Sequence, residues 1–255
     1  MDQRTIKATL HKLANLYPEA LRASQLADIE RQAFNIGLVL PAVGRGGRVC
    51  DIGGGIGLFS VACAALGLKA VLVDDFFDPI NSRFGDAVLD LHRHHGVEII
   101  EADVVNCRPD LGVNLFDAIT SFDSIEHWHN SPKSLFRNLM TLLRDGGLFV
   151  LSAPNCCNLR KRICVPLGMA KWSSMEDWYE AERFRGHVRE PDMSDLRYIA
   201  RDMNLQSVRL IGRNWLGYRS IPCSIRAVAP IIDRLLRPFP QLCSDLYLVG
   251  TKPGA

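Results

Sequence analysis

The sequence has no uncharged apolar stretch long enough to cross a bilayer, and its opening residues, MDQRTIKATLHKLANLYPEAL, lack the continuous apolar core of a signal peptide. A soluble, cytoplasmic protein is therefore expected. An excess of charge is also missing: 30 Lys and Arg against 28 Asp and Glu leave a formal +2, which gives no sign of a nucleic-acid binder with a long phosphate-tracking groove. The eight cysteines are scattered and include no C-x-x-C pair, and the Cys156-Cys157 doublet lacks a second ligand pair at a structural zinc spacing. Neither a disulfide framework nor a metal site is expected. No repeat, low-complexity segment or linker divides the chain, so residues 1–255 are read as one domain.

What is present is a 47% hydrophobic content, ample for a sizeable core, set out as alternating strands and helices. Apolar residues at helical spacing (Ile6, Leu10, Leu13, Leu16) and a second such stretch from Leu21 to Leu40, up to Pro41, read as N-terminal helices over 1–40. Then come the strand RVCDI, a glycine turn, a helix from Leu58 to Leu66 and the strand KAVLVDD, a βαβ spacing that forces a parallel pair. VEIIEAD (97–103), FDAITSFD (116–123) and GLFVLSAP (147–154) read as further strands, with a helix carrying Leu135, Leu139, Leu142 and Leu143 before the last. Continuous apolar runs suit strands buried on both faces, so an α/β fold with a doubly wound, Rossmann-like parallel sheet is expected. After Pro154 the rhythm breaks. Residues 155–190 and 213–243 read as insertions after the fifth and sixth strands, on either side of a helix near 192–203 and the strand QSVRLIG; DLYLVGT reads as the last strand. Both insertions leave carboxyl ends of strands, on the ligand-binding edge of such a sheet, and are read as a substrate lid.

The glycine turn is VCDIGGGIGLF (49–59). Gly53, Gly54, Gly55 and Gly57 remove the Cβ atoms that would hold a ligand away from the backbone. Dinucleotide enzymes use a similar loop, but Asp51 two residues ahead would repel a diphosphate by roughly 4 kcal/mol per unit charge at 4 Å and an effective dielectric near 20. A cation gains instead. S-adenosylmethionine carries a sulfonium and an ammonium and no phosphate, and it suits the turn better; Leu58 also breaks a G-x-G-x-x-G pattern begun at Gly53. Asp74 ends the second strand where it can accept from ribose hydroxyls, as an acid would in an NAD site too, and Asp103 closes the third where it can accept from an adenine amino group. Either alone also suits a turn or N-cap, but three successive strands ending in an acid point to a ligand.

On these residues the sequence resembles the class I S-adenosylmethionine-dependent methyltransferases, in particular the broad group acting on small molecules and glycans. VCDIGGGIG is similar to the first motif of that family, VLVDD to its second and EADV to its adenine-contacting segment. FDAITSFDSIEHWHNSPKSLFRNLMTLLRDGGLFVLSAPN is similar to its fourth-strand motif, Glu-His pair and following helix and strand, and RGHVREPDMSDLRYIARDMNL to its His-x-Arg segment, with Asn204 where glycine is usual. The resemblance implies seven strands with the last antiparallel. It also implies S-adenosylmethionine as cofactor, held by Asp51, Gly53, Gly54, Gly55, Gly57, Asp74, Asp75, Phe76, Asp103, Val104, Phe122 and Asp123. The expected activity is methyl transfer to a small-molecule or glycan acceptor, most readily at oxygen. His127 and His187, with Glu126, are the candidate catalytic residues, because imidazole titrates near neutrality; His129 is a further candidate. Arg160, Lys161 and Arg162 read as an anion clamp or a solvated face, and Trp172, Trp178 and Tyr179 as pocket lining or core. His92, His94 and His95 read as the solvated last turn of a helix ending at Gly96. The stretch IPCSIRAVAPIIDRLLRPF (221–239) reads as a docked helix or as a peripheral contact with a membrane or lipid-linked acceptor. An NAD(P)-linked oxidoreductase and a non-catalytic methyltransferase-like binding subunit are the competing readings.

Overall fold

The computed structural model describes residues 1–106, 113–169, 173–182, 184–215 and 229–254. Trp172 and residues 221–228 of the amphipathic stretch therefore lie outside the described residues. The strands are β1 (Arg48–Ile52), β2 (Lys69–Asp74), β3 (Glu98–Glu101), β4 (Phe116–Phe122), β5 (Leu143–Pro154), β6 (Gln206–Arg213) and β7 (Asp245–Thr251). The helices are α1 (Gln3–Ala14), α2 (Glu19–Ala27), α3 (Ile29–Val43), α4 (Leu58–Ala65), α5 (Pro79–His94), α6 (Lys133–Leu142), α7 (Leu159–Cys164), α8 (Met175–Tyr179), α9 (Met193–Asp202) and α10 (Ala229–Leu236). None of the described helices is long and apolar enough to cross a membrane.

The strands form one sheet in the order β3-β2-β1-β4-β5-β7-β6. The β1–β2, β1–β4, β2–β3 and β4–β5 pairs are parallel, and β7 runs antiparallel to both β5 and β6. Side chains alternate between two apolar layers, as the pleat requires. Val49, Leu72, Ala118, Val150 and Val249 pack toward α1, α3 and α4, whereas Cys50, Val71, Ile119, Phe149 and Leu248 pack toward α6 and α9. Burial on both faces explains why these strands read as unbroken apolar runs. Strand order reverses between β1 and β4, and a ligand crevice belongs outside the carboxyl ends at that point.

Several boundaries differ from the sequence expectation. The stretch read from Leu21 to Leu40 is two helices, broken at Asp28, whose carboxylate accepts hydrogen bonds from Arg31 and Gln32 (2.9 and 2.7 Å). Pro41 lies inside α3 rather than beyond it; the last turn still closes because the Gly44 N–H reaches the Leu40 carbonyl at 3.1 Å. Leu143 opens β5 instead of ending α6, pairing with Phe116. Asn204, where the chain turns from α9 toward β6, has φ +53°, a conformation that asparagine adopts more readily than most residues. The cluster at the end of α5 is not wholly solvated: His92 is fully buried, and its ring reaches two carbonyl oxygens (Val88, 2.8 Å; Gly57, 3.1 Å).

Candidate active site

The glycine turn joins β1 to α4, and the acid ahead of it explains its composition. Asp51 is buried, and its carboxylate accepts hydrogen bonds from the hydroxyls of Ser60 (2.8 Å) and Thr120 (2.9 Å). Burial pushes its pKa up to about 6 against the opposing pull of those two hydroxyls. A Cβ at Gly54 would stand 2.2 Å from Asp51 Oδ2, and one at Gly53, where φ is +70°, would stand 2.5 Å from Ser124 Oγ. The turn is thus folded down onto Asp51 and against the end of β4, with no room for side chains. Its far end is held from elsewhere. The Gly57 carbonyl accepts from the Tyr17 hydroxyl at 3.0 Å and faces the His92 ring. Asp51, expected to touch the cofactor, lies beneath the turn and does not line the cavity; nor do Gly54, Gly57, Phe76 and Phe122.

Above the turn, at the switch between β1 and β4, is a cavity of about 230 Å³ lined by Gly53, Gly55, Asp74, Asp75, Asp103 and Val104 among others. Asp74 Oδ2 accepts from the Gly55 N–H (2.8 Å) and Oδ1 from the Phe76 N–H (2.7 Å), so one carboxylate fixes the turn and the end of β2 together. Its pKa is raised, chiefly by burial. Phe76 is held at φ +51°, an uncommon conformation for a bulky residue, and it packs on the core beside the cavity rather than into it. Phe122 stacks edge-on against Phe59, with centroids 4.8 Å apart, and supports the floor. Asp123, at φ +50°, lines the cavity while pairing with Arg31 from α3 and accepting from Ser152 at 3.1 Å. With Asp78, five aspartates and a single arginine, Arg185, line this space. Arg185 lies 3.6 Å from Asp75 and over the Phe77 ring. A polyanion would meet net repulsion here and a cation net attraction, so the lining fits a phosphate-free, positively charged nucleoside.

Of the candidate catalytic residues, His127 lines one end of the cavity, while Glu126 and His187 adjoin it without lining the cavity. Glu126 and His127 lie in a short 3-10 turn, Ile125–His127, after β4. The Glu126 carbonyl accepts from the N–H groups of Val188 and Arg189 (2.6 and 3.2 Å), which fastens the segment around His187 over the turn. His127 Nδ1 is 2.8 Å from the Arg185 carbonyl and His187 Nδ1 2.7 Å from Glu190 Oε1. Both partners only accept, so each Nδ1 carries a proton. The rings meet edge to face with centroids 4.9 Å apart. Burial lowers the His127 pKa, and it raises that of Glu126 well above the usual carboxylate range, with Asp123 and Glu190 adding repulsion. His129 donates to the Phe184 carbonyl at 3.0 Å and does not line the cavity.

Other expectations do not converge on the site. Lys161 pairs with Glu190 and Arg162 bonds the Cys157 carbonyl at 2.6 Å, while Arg160 is exposed, so the basic run is no common clamp. Trp178 and Tyr179 are exposed and line no part of the cavity. Arg31, Tyr17, Ser124 and Arg185 were not singled out by sequence. Of these only Arg31 left a signal, a charge on a helix whose buried face is otherwise uncharged.

The methyltransferase domain model matches residues 25–210. No curated protein matches the chain in sequence. Among solved structures, phosphoethanolamine N-methyltransferase 2 of Haemonchus contortus, in complex with S-adenosyl-L-methionine, superposes with a TM-score of 0.55 at 17% identity, covering 86% of this chain and 52% of that one. This chain thus spans about half the length of the Haemonchus enzyme. An S-adenosylmethionine-dependent methyltransferase of Archaeoglobus fulgidus (0.55, 17%) covers 88% of this chain and 92% of its own. One of Mesorhizobium loti (0.55, 17%) covers 88% and 97%. At these identities the likeness is one of fold.

Proposed function

The chain belongs to the methyltransferase domain family, an S-adenosylmethionine-dependent enzyme by that membership, and from this premise we propose that it methylates an oxygen of a small-molecule or glycan acceptor. The observation that carries the reading is the aspartate-lined cavity at the β1/β4 switch, which His127 lines at one end with the His187 ring packed against it. Bound there, S-adenosylmethionine supplies a methyl carbon made electrophilic by the positive sulfur beside it. The chain does the rest. Gly53 and Gly55 present bare backbone to the methionine part, and Asp74, with lone pairs left after its two backbone contacts, accepts from ribose hydroxyls. Asp75, Asp103 and Val104 border the adenine. Asp51, Gly54 and Gly57 act from below by shaping the turn, Phe76 and Phe122 by packing beside it.

Glu126, His127 and His187 form the acceptor face, where lone pairs can take up a proton or a cation in its place. In-line transfer needs alignment and exclusion of water more than covalent catalysis. The described parts of residues 155–190 and 213–243 leave the same sheet edge, which supports reading these two segments as a lid, and residues 1–255 as one domain. An oxidoreductase reading fails on the five aspartates, which oppose a diphosphate. A reading as a binding subunit without catalysis gives no role to His127 at the end of the cavity.

Calorimetry with S-adenosylmethionine, S-adenosylhomocysteine and NADH tests the cofactor, and a labelled-methyl screen of metabolite and glycan extracts tests the acceptor. Binding of both sulfur ligands and an acid- and base-stable methyl ether as product are expected. NADH binding without either sulfur ligand, or a product methylated only at nitrogen, would overturn the reading.

A further inference from the structure

Glu126, His127 and His187 bring a carboxylate oxygen and two ring nitrogens to one place, all within 4.8 Å of one another. We infer that these three side chains bind one divalent ion of the zinc type, beside the end of the methyl-transfer cavity that His127 lines. Sequence spacing alone gave no reason to expect a metal, because adjacent ligands at 126 and 127 and a third at 187 follow no structural-zinc pattern.

Three features of the geometry support the site. Both histidines have Nδ1 engaged, by the Arg185 carbonyl and by Glu190 Oε1; this is the outer shell that aims Nε2 at a metal and fixes its tautomer. Glu190 is itself anchored by Lys161, so the outer shell is a chain of fixed groups. Glu126 is 1% exposed, yet its Oε2 has no hydrogen-bond partner, and among the described residues no lysine or arginine pairs with it. Its Oε1 faces His127 Nε2 at 4.0 Å. A buried carboxyl oxygen left without a partner is costly, and a bound cation would meet it.

Ligands at 2.0–2.2 Å from a tetrahedral ion stand about 3.4 Å apart, so the set must close in from its 4.8 Å spread to hold the ion. Two imidazoles and one carboxylate favour zinc, iron or cobalt over magnesium or calcium. Three protein ligands leave a position free, as in catalytic rather than structural sites.

The chemical use of the ion rests on the methyl-transfer reading; the ion site itself does not. An acceptor hydroxyl on the open side releases its proton to water at lower pH than in solution. Its oxygen bonds to the methyl carbon as the carbon–sulfur bond breaks, and that electron pair stays on sulfur, which passes from sulfonium to neutral thioether.

The test is titration of the chelator-stripped full chain with Co²⁺, read by visible absorption, followed by displacement with Zn²⁺. One Co²⁺ per chain is expected. Glu190→Gln, which keeps every ligand, should weaken it by roughly 10- to 100-fold, and His187→Ala by more. The double variant Cys156→Ser, Cys157→Ser should bind as the parent does. No bound ion, unchanged affinity in both His187→Ala and Glu190→Gln, or loss of the ion only in the cysteine variant would overturn the site. S-adenosylhomocysteine calorimetry on the same samples separates the two readings. Nucleoside binding without Co²⁺ sinks the ion site alone. Co²⁺ binding without the nucleoside supports the site and sinks the methyltransferase chemistry.

Discussion

Replacing Asp74 with asparagine changes one oxygen to a nitrogen and should cost both the fold and the cofactor. Its two oxygens accept from Gly55 N–H at 2.8 Å and Phe76 N–H at 2.7 Å. Asparagine has one acceptor and one donor group, so one of those N–H groups must face an NH2. A buried donor left unmet costs about 1–3 kcal/mol, and this is the expected loss of stability in urea unfolding. The nucleoside loses separately. Hydrogen bonds to a charged group are worth about 1.5–3 kcal/mol, so the dissociation constant for S-adenosylhomocysteine should rise by roughly 10- to 150-fold. Calorimetry reads that change at fixed temperature and salt. A stability loss with unchanged affinity would show that Asp74 only pins the turn and that the ribose lies elsewhere. No change in either would refute the hydrogen bonds themselves.

Two further substitutions test the support of the turn. Asp51 has its pKa raised from 3.8 to about 6 by burial, so the stability tied to its protonated form is complete below pH ~4 and is lost as pH rises through ~6, on the order of 3 kcal/mol in all. Asp51→Asn should remove that part of the dependence, leaving the shares of Asp74, Glu126 and Asp245, which burial raises in the same way; urea midpoints at pH 4.5 and 7 that fall in parallel for variant and parent would contradict it. Tyr17→Phe deletes one of the two contacts to the Gly57 carbonyl and should cost about 0.5–1.5 kcal/mol of stability, with a smaller loss of nucleoside affinity. An unchanged thermal midpoint would mean that His92 holds the turn alone.

The strands were legible because the sheet is covered on both sides: RVCDI, KAVLVDD and DLYLVGT fill both apolar layers, and only such strands read as continuous runs. Asp74, at the end of β2, and Asp103, two residues past the end of β3 rather than in it, were legible as cavity-lining positions because both follow strands to the ligand edge. Asp51 shows the limit of that logic. One residue type suits both a cation contact and a buried support, and choosing between them needs Ser60 and Thr120, which come from α4 and β4, 9 and 69 residues away. His92 was misplaced for a related reason. Three histidines around Arg93 look solvated in sequence, yet the helix turns only one of them inward, to Gly57. Contacts such as Arg31–Asp123, 92 residues apart, leave no local periodicity to read.

Arg31 also gives the sharpest test of why the cavity prefers a cation. It is the α3 side chain that neutralises Asp123, one of the five lining aspartates, and Asp28 holds it from behind at 2.8 Å. Arg31→Met keeps much of the aliphatic stem and removes the charge. Breaking a mostly buried pair should destabilise the fold by up to about 3–5 kcal/mol, so binding must be measured on protein shown to be folded. S-adenosylmethionine and S-adenosylhomocysteine differ by a methyl group and one positive charge at sulfur, and the ratio of their affinities therefore reports the potential at that atom. Unmasking Asp123 adds a negative charge worth about 1–2 kcal/mol at ~10 Å and an effective dielectric near 20. The ratio should shift toward the sulfonium by roughly tenfold at low salt and by less at high salt. If the variant folds and the ratio stays at the parent value, the aspartates do not set ligand choice, and the bare glycine backbone alone accounts for what the turn binds.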